Sequence, residues 1–426
     1  MSIGKYFLPG HFAISRRKLI AGSAGSLYVL IANPLAKAID KLSLPAYSRW
    51  PSTAAVDRVL NDAIHAKQLV GASILIAQDG EIVYQRTAGF ADREARRAVQ
   101  ADDLFRIASM TKLVVSVTAL SLIESGSLQL DDPVSRWLPD FRPKTKDGRQ
   151  DTITIKHLLT HTAGLTYGFL SGPGGGDYRR LGISDGLDES GLTLNENIRR
   201  LAMAPLLFAP GTAWHYSLAV DVLGAVIERV THSALPRAIE QRVTGPLGLP
   251  SLKFLASRHD TLATPYGDAT PQPVRMTDPF TLPFFDGQIT YSPSRAYDAN
   301  AYSSGGVGMV SNALDYLRLL ETLRMGGGPI LRPESVTALT TNAIGTLPTN
   351  SGPAFGWGLG VSVLLDPQAA KLPLNAGSWN WAGVYGSNFW VDPVARLSVV
   401  LLTNTAVSGM TGAFPLALRH AVYASS

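Results

Sequence analysis

The sequence predicts an α+β fold, in which an antiparallel sheet is flanked by helices and a mostly helical region is inserted between its strands. Strand-like runs near both ends of the chain enclose a central stretch with helical periodicity. An early hairpin pattern favours antiparallel pairing, and 46% hydrophobic residues in a chain of 426 are enough for a large core. We expect the sheet region at residues 54–108 and 301–426, and the helical region at about 109–300.

The first 38 residues form a segment of their own. A basic stretch at residues 15–18 (Ser-Arg-Arg-Lys) precedes an apolar run from Leu19 to Ala32, and residues 36–38 (Ala-Lys-Ala) suit a cleavage site. This pattern is typical of a twin-arginine export signal cut after Ala38, and it predicts a periplasmic protein. The apolar run is shorter than the roughly 20 residues that span a bilayer, so we expect no stable membrane anchor after cleavage.

The formal charge of +5 belongs to that segment. Five of the 38 basic residues and none of the 33 acidic residues fall within positions 1–38, which leaves positions 39–426 balanced. A nucleic-acid partner is therefore not indicated. The chain has no cysteine, so disulfides, thiol catalysis and zinc–thiolate sites are excluded. We expect residues 39–426 to form one catalytic unit.

A hairpin and a helix near the start of the chain can be predicted together with the residues at which they turn or end. Residues 73–86 contain two apolar runs around Asp79-Gly80, a pair of residues typical of a tight hairpin turn. From Met110 to Glu124, apolar residues recur at helical spacing, and Gly126 is a natural stop. Ser109 is then predicted at a helix N-terminus.

The remaining elements follow in chain order. Residues 154–250 indicate mainly helices joined by loops, whereas residues 251–303 show no regular pattern. Further helices are predicted at Val220–Val230, Ala238–Val243, Asn312–Leu323 and Ala413–Ala424, and strands at Gly356–Leu365, Val384–Val391 and Leu397–Leu402.

Ser109 and Lys112 are the first candidate catalytic pair. Their spacing of three places a hydroxyl and an amine on one face of a helix. A buried lysine can lose its proton and then accept one from serine, and the helix N-terminus favours negative charge at Ser109. The Ser-x-x-Lys pattern is weak evidence by itself, since it also occurs twice within the first 38 residues.

The surroundings of this pair, together with two later motifs, resemble a known family. The segments are residues 105–112 (Phe-Arg-Ile-Ala-Ser-Met-Thr-Lys), 155–165 (Ile-Lys-His-Leu-Leu-Thr-His-Thr-Ala-Gly-Leu), 216–218 (Tyr-Ser-Leu) and 381–383 (Trp-Ala-Gly). From about Ala54 to the C-terminus, the chain resembles the serine β-lactamases, and more specifically the class C enzymes and the family VIII carboxylesterases. The resemblance implies a β-lactamase/transpeptidase-like fold.

The resemblance also implies roles for individual residues. Ser109 would be the acyl-forming nucleophile, and Tyr216 would take its proton together with Lys112 and then activate the deacylating water. That role requires a lowered pKa for Tyr216, which the nearby Lys112 ammonium would cause. The backbone amides of Ser109 and Val384 would form the oxyanion hole.

Two departures from the lactamase pattern concern substrate binding. Trp381 replaces the lysine that helps to hold a substrate carboxylate, and Leu218 replaces an asparagine that binds an acylamino group. Trp381, Gly383 and Leu218 are the predicted substrate-binding residues, with Trp381 as either a pocket wall or a packing residue. The favoured substrate is a small-molecule ester, with no metal or organic cofactor. The alternatives are a β-lactamase, D-aminopeptidase or amide hydrolase, an acyltransferase, and a catalytically silent binding protein.

Three other patterns support alternative sites. His157 and His161 have the spacing of zinc ligands, but Leu158 stands where the catalytic glutamate of that motif belongs, so we expect His161 to bind buried backbone instead. Ser184 lies in a Gly-x-Ser-x-Gly pattern that no apolar strand precedes, and it is predicted to be a loop serine. Asp221 could orient the site or cap the following helix, and we expect a structural role.

Overall fold

The structure is a computed structural model that describes residues 53–172 and 174–424, so the predicted export signal at 1–38 lies outside the described residues. The strands are β1 (Gly71–Gln78), β2 (Glu81–Asp92), β3 (Arg97–Ala98), β4 (Phe105–Arg106), β5 (Tyr266–Gly267), β6 (Val274–Arg275), β7 (Phe280–Phe284), β8 (Gly287–Tyr291), β9 (Val310–Ser311), β10 (Phe355–Trp357), β11 (Ser362–Leu364), β12 (Trp379–Gly383), β13 (Ser387–Asp392) and β14 (Leu397–Thr403).

Both ends of the chain contribute to one eight-stranded antiparallel sheet, which confirms the predicted class. The strand order is β10-β11-β12-β13-β14-β1-β2-β3, and the N-terminal part joins the C-terminal part where β1 pairs with β14. The predicted hairpin is β1–β2. Its turn residues Asp79 and Gly80 have φ values of 56° and 87°, the left-handed values that suit a two-residue hairpin turn.

Two predicted strands are wrong in their extent. The run from Gly356 to Leu365 is a hairpin of β10 and β11, because Gly358 N bonds to Val361 O at 2.9 Å and Gly360 adopts a φ of +127°. The run from Val384 to Val391 begins with a turn instead of a strand. Gly386 bonds back to Gly383 O at 2.9 Å, and β13 starts at Ser387.

The α-helices are α1 (Thr53–His65), α2 (Thr111–Glu124), α3 (Ile155–Leu159), α4 (Gly176–Arg180), α5 (Leu194–Leu201), α6 (Ala219–Thr231), α7 (Leu235–Ile239), α8 (Gly245–Leu247), α9 (Ala313–Arg324), α10 (Pro333–Thr340), α11 (Pro367–Ala370) and α12 (Ala413–Tyr423). A π-helical turn follows α7, and the 3-10 turns are Ala108–Met110, Val134–Arg136, Gly168–Leu170 and Pro293–Tyr297. Within the described ranges, no helix is long and apolar enough to cross a membrane.

Helix α2 is the centre of the helical region. All but its last two residues are buried, as expected for a helix that is apolar on every side. It ends at Glu124 and is followed by Ser125 and Gly126, where the prediction placed its stop. It packs against α6 and α7. Because α2 follows directly from the Ser109 turn, its burial fixes the position of that turn in the core.

Apolar side chains cover both faces of the sheet. One face packs with α1 and α12 in a core that includes Val56, Ile74 and Leu418. The other face, together with α2, α6 and α9, encloses the larger core. Ser109 lies on this second side, between the sheet and the helical region.

Residues 251–303 are more regular than the sequence indicates. They form two short antiparallel pairs, β5 with β6 and β7 with β8. These strands have only two or five residues each, so their apolar periodicity is too short to be read from the sequence. The β8 strand reaches the turn after β12 through Tyr291, whose hydroxyl donates to Val384 O at 3.1 Å.

Candidate active site

Ser109 lies in the 3-10 turn between β4 and α2, directly before Met110, where the predicted helix begins. Only 5% of the residue is exposed. Ala108 adopts a φ of +43°, a strained value for an L residue, so the surrounding structure must hold this turn in place. The first bond of the turn joins Met110 N to Ile107 O at 3.0 Å. The Ser109 amide precedes this bond, and it has no acceptor among the described residues.

The turn after β12 contacts the Ser109 turn directly. A Cβ atom on Gly383 would lie 2.2 Å from the carbonyl oxygen of Ile107, so only glycine fits at this position. The next peptide is held by the bond from Tyr291 OH to Val384 O. Within residues 53–172 and 174–424, the Val384 amide has no acceptor. The structure thus brings Val384 next to the Ser109 turn, and the oxyanion role of the two amides stays a prediction.

Lys112 is fully buried, and its Nζ has three oxygen neighbours. Nζ lies 3.2 Å from Ser109 Oγ, 2.8 Å from Tyr167 OH and 2.8 Å from Gly306 O. Burial lowers the pKa of Lys112 to about 7, although the charge of Asp221 acts in the opposite direction. At pH values above 7, Lys112 is therefore mainly a neutral amine.

The neutral amine has a distinct role at each neighbour. It carries two hydrogens and one lone pair. The Gly306 carbonyl can only accept a hydrogen bond, and the Tyr167 hydroxyl accepts the second one. The lone pair is left for the third neighbour, the Ser109 hydroxyl, whose proton it can take.

The predicted lowering of the Tyr216 pKa is wrong. Burial raises this pKa and outweighs the hydrogen bonds with Ser109 and Trp381, which favour the phenolate. Lys112 Nζ lies 4.6 Å from the Tyr216 ring centroid, where it contacts the face of the ring. Tyr216 is consequently a phenol at neutral pH, so it can donate a proton but cannot take one from Ser109 in the resting enzyme.

Trp381 and Leu218 occupy different environments. Trp381 is half-buried, its Nε1 donates to Tyr216 OH at 3.2 Å, and its ring contacts that of Trp357 at a centroid distance of 4.6 Å. It therefore both packs and remains partly open to a substrate. Leu218 is fully buried in the core before α6. The prediction that its side chain binds substrate is wrong, because the side chain lies in the core and has no exposed surface.

Tyr167 and Gly306 are site residues that sequence reasoning missed. Tyr167 is fully buried, and its ring stacks on Phe169 at 4.6 Å. No motif spacing connects Tyr167 with Lys112, because long-range folding brings them together. Gly306 had a weaker signal, the Gly305-Gly306 pair. Such a pair often marks a close backbone approach, and a Cβ on Gly305 would lie 2.6 Å from Val220 O.

His157 and His161 make different contacts, and only that of His161 differs from the prediction. His157 Nδ1 accepts from Thr154 N at 3.2 Å and caps α3. His161 was expected to bind buried backbone, but its Nδ1 lies 3.2 Å from Ser217 Oγ and its ring lies 4.8 Å from that of Tyr216. Burial and the charge of Lys112 hold the pKa of His161 well below its usual value. In the part of the chain that the structure describes, no three His, Asp or Glu side chains are grouped to hold a metal ion.

Ser184 is a structural residue. It is 1% exposed, and its Oγ donates to Asp188 Oδ1 at 2.5 Å and accepts from Gly186 N and Tyr302 OH. Its proton is held by the Asp188 carboxylate, and no lysine or histidine contacts its hydroxyl within the described residues. The Gly-x-Ser-x-Gly pattern therefore belongs to a buried loop, as predicted.

Comparisons with known proteins are consistent with this geometry. The family model described as "Beta-lactamase" matches residues 56–423. "Esterase EstB" of Burkholderia gladioli is 46% identical over 92% of this chain and 98% of its own length. "Monacolin J acid methylbutanoyltransferase" of Aspergillus terreus is 30% identical over 68% of this chain and 70% of its own length.

Solved structures share the architecture. The structure titled "EstCE1, a hydrolase with promiscuous acyltransferase activity" has a TM-score of 0.83 and 42% identity, and the match covers 92% of this chain and all of that one. "Simvastatin Synthase (LovD) from Aspergillus terreus" has a TM-score of 0.67 at 23% identity, over 87% of this chain and 98% of that one. The second likeness bears on the fold alone.

Proposed function

This chain belongs to the beta-lactamase family, and on that premise we propose that it is a serine carboxylesterase that acts on small-molecule esters. The reaction passes through an acyl-enzyme on Ser109. The similarity to Esterase EstB and to the EstCE1 structure supports an ester as the substrate.

The observation that carries the proposal is the Lys112 amine. Its two hydrogens bond to Gly306 O and to the Tyr167 hydroxyl, and its lone pair is left for the Ser109 hydroxyl. When Ser109 Oγ attacks the ester carbonyl carbon, its proton moves to Lys112 Nζ. The carbonyl oxygen becomes an oxyanion, for which the amides of Ser109 and Val384 are the donors.

Collapse of the tetrahedral intermediate breaks the bond to the leaving alcohol. Tyr216, a phenol hydrogen-bonded by Trp381, donates its proton to the leaving oxygen and regains one from the Lys112 ammonium. In the second half of the reaction, water attacks the acyl carbon and gives its proton to Lys112. The acid then leaves, and Ser109 recovers its hydroxyl proton.

The pocket suits esters better than β-lactam antibiotics. Trp381 provides an aromatic surface where lactamases have a lysine cation, and Leu218 is buried where they present an amide. A substrate carboxylate and an acylamino group would therefore lack charged and polar partners. A missing hydrogen bond to a charged group costs about 1.5–3 kcal/mol, which corresponds to roughly 10-fold to 100-fold in rate.

Acyl transfer is a second candidate function. EstCE1 is described as a hydrolase with promiscuous acyltransferase activity, and the relative from Aspergillus terreus is named as a methylbutanoyltransferase. The chemistry differs only in the second half, where an alcohol replaces water as the nucleophile. A partly apolar entrance such as Trp381 would favour an alcohol over water.

One experiment separates these functions. The protein is assayed with p-nitrophenyl acetate, butyrate and octanoate, and in parallel with nitrocefin, and the Ser109→Ala variant gives the background rate. We expect ester hydrolysis with a kcat/KM at least about 10-fold above that for nitrocefin, since the lactam has lost its charged partner. Faster nitrocefin cleavage would contradict the ester proposal. Adding benzyl alcohol to the butyrate reaction tests transfer, because benzyl butyrate would then form at the expense of butyric acid.

We further propose that residues 1–38 are a twin-arginine signal, that the protein is exported to the periplasm, and that residues 39–426 are one catalytic unit. The double arginine and the apolar run support this location. Replacing both Arg16 and Arg17 with lysine should keep the protein inside the cytoplasm. Unchanged export of that double variant, measured by cell fractionation, would contradict the signal.

A further inference from the structure

Asp221 is a buried carboxylate to which the proposed reaction assigns no role. It lies in the first turn of α6 and is fully buried. Its Oδ1 accepts from Ser304 Oγ at 2.6 Å, whereas its Oδ2 has no hydrogen bond of good geometry within the described ranges, although the Gly306 backbone amide also favours its charged form. A buried carboxylate with an unfilled oxygen is costly unless a cation lies nearby. A structural cap would not require such an arrangement.

One loop connects Asp221 to the catalytic lysine. Lys112 Nζ donates to Gly306 O, and a Cβ on Gly306 would lie 2.5 Å from Asp221 Oδ2. The same Cβ would lie 2.8 Å from Tyr167 OH, the other acceptor of Lys112. The Asp221 carboxylate and the partners of Lys112 therefore meet around a single glycine. Ser304, which binds Asp221, starts this loop and is bonded to Val307 N at 3.2 Å.

We propose that Asp221 is a positioning residue, which acts as the buried counter-charge of Lys112 and, through Ser304, holds the loop whose Gly306 carbonyl binds that lysine. The inference rests on the proposed function, because it concerns the amine that takes the Ser109 proton. It explains why the unfilled oxygen of Asp221 faces the loop at Gly306 and why position 306 has no side chain.

The two charges act on each other in a definite direction. Burial lowers the pKa of Lys112, whereas the Asp221 carboxylate raises it, and the result is about 7. Burial raises the pKa of Asp221, whereas Lys112 lowers it. If the carboxylate charge is removed, the pKa of Lys112 falls further, and its amine stays neutral to lower pH.

Other titratable groups also surround Lys112 and Asp221. Burial raises the pKa values of Tyr167, Tyr216 and Tyr302, so these phenols stay neutral. His161 also stays neutral, since its pKa is held well below its usual value. The remaining charged groups that interact with Asp221 are Arg295 and Asp185.

Asp185 needs a control because it titrates in the same range. It is half-buried, its oxygens accept from Gly168 N and Phe169 N, and burial raises its pKa to about 7. It makes no contact with Lys112. The Asp185→Asn variant therefore tests whether any buried aspartate of this region would have the effect assigned to Asp221.

The test is the pH dependence of kcat/KM for p-nitrophenyl butyrate in the Asp221→Asn variant. Asparagine keeps the volume and an oxygen for Ser304, but it lacks the charge. We expect the acid limb of the profile, near pH 7 in the unchanged protein, to move to lower pH by roughly one unit. KM should change little, because Asp221 does not reach the substrate.

Three comparisons decide the outcome. An acid limb that does not move in Asp221→Asn, or that moves as far in Asp185→Asn, would overturn the inference. If Asp221→Asn does not fold, Ser304→Ala takes its place. That variant removes the bond that favours the carboxylate, so its acid limb should also move to lower pH, and an unmoved limb would be a contradiction.

A second readout separates this inference from the proposed function. The rate at which a fluorophosphonate labels Ser109 depends on the same amine but needs no ester substrate. A labelling profile that shifts in Asp221→Asn supports the inference even if the ester is the wrong substrate. Labelling with an unshifted profile overturns the inference alone, whereas no labelling at any pH overturns the nucleophile and the inference together.

Discussion

The Ser109→Ala variant is expected to lose ester hydrolysis almost completely, with kcat/KM for p-nitrophenyl acetate reduced on the order of 10⁴-fold or more. The reason is that the acyl-enzyme cannot form without Ser109 Oγ, and the other hydroxyl bonded to Lys112 belongs to Tyr167, a buried phenol whose pKa is raised. The Tm should change little, because the two side chains that bond to Oγ, Lys112 and Tyr216, keep other hydrogen-bond partners. Steady-state kinetics and thermal unfolding of the same preparation measure both effects.

The matched control for this variant is Ser184→Ala. Ser184 is also a buried serine and belongs to the Gly-x-Ser-x-Gly pattern, which competes as a nucleophile motif, but its hydroxyl is bonded to Asp188. We expect that control to keep its kcat/KM and to lose some stability, on the order of 1 kcal/mol for a buried hydrogen bond. Activity retained in Ser109→Ala and lost in Ser184→Ala would overturn the assignment.

The Lys112→Met variant has the second largest expected effect, a fall in kcat/KM of roughly 10³-fold. Methionine fills most of the buried volume but offers no base for the Ser109 proton. In the unchanged protein, the pKa of Lys112 is about 7, so kcat/KM should rise with pH up to that value as the amine loses its proton. This pH-dependent rise should be absent from the residual activity of the variant.

Lys112→Arg is the control that separates charge from basicity. Arginine keeps a cation in the site, but its guanidinium stays protonated and cannot take a proton from serine. We expect Lys112→Arg to be as inactive as Lys112→Met. Substantial activity in the arginine variant would mean that Lys112 acts through its charge and that another group removes the proton.

Local patterns in the sequence predicted the parts of the site that lie close together in the chain. Ser109 and Lys112 are three positions apart, and helical spacing alone places them on one face. The turn at Asp79-Gly80 and the helix that follows Ser109 were also predicted from neighbouring residues. In each of these cases, a short stretch of chain contains all the interactions that determine the structure.

The parts that the sequence could not predict depend on distant segments. Tyr167 and Gly306 meet Lys112 only because the helical region folds back over α2, and no spacing indicates this. The sign of the pKa change at Tyr216 was wrong for the same reason, since burial outweighs the hydrogen bonds from neighbouring groups and burial is a property of the whole fold. The strand predicted from Gly356 to Leu365 is interrupted at Gly360, where the backbone turns with a φ of +127°.

The central claim is that Ser109 carries the acyl group, and the most direct test is the mass of the trapped intermediate. The protein is mixed with p-nitrophenyl butyrate, quenched in acid within the first turnover and analysed intact and after digestion. We expect the mass increase of one butyryl group on the peptide that contains Ser109, and no increase in Ser109→Ala. A butyryl group on another residue, or product formation with no acylated protein, would contradict this assignment.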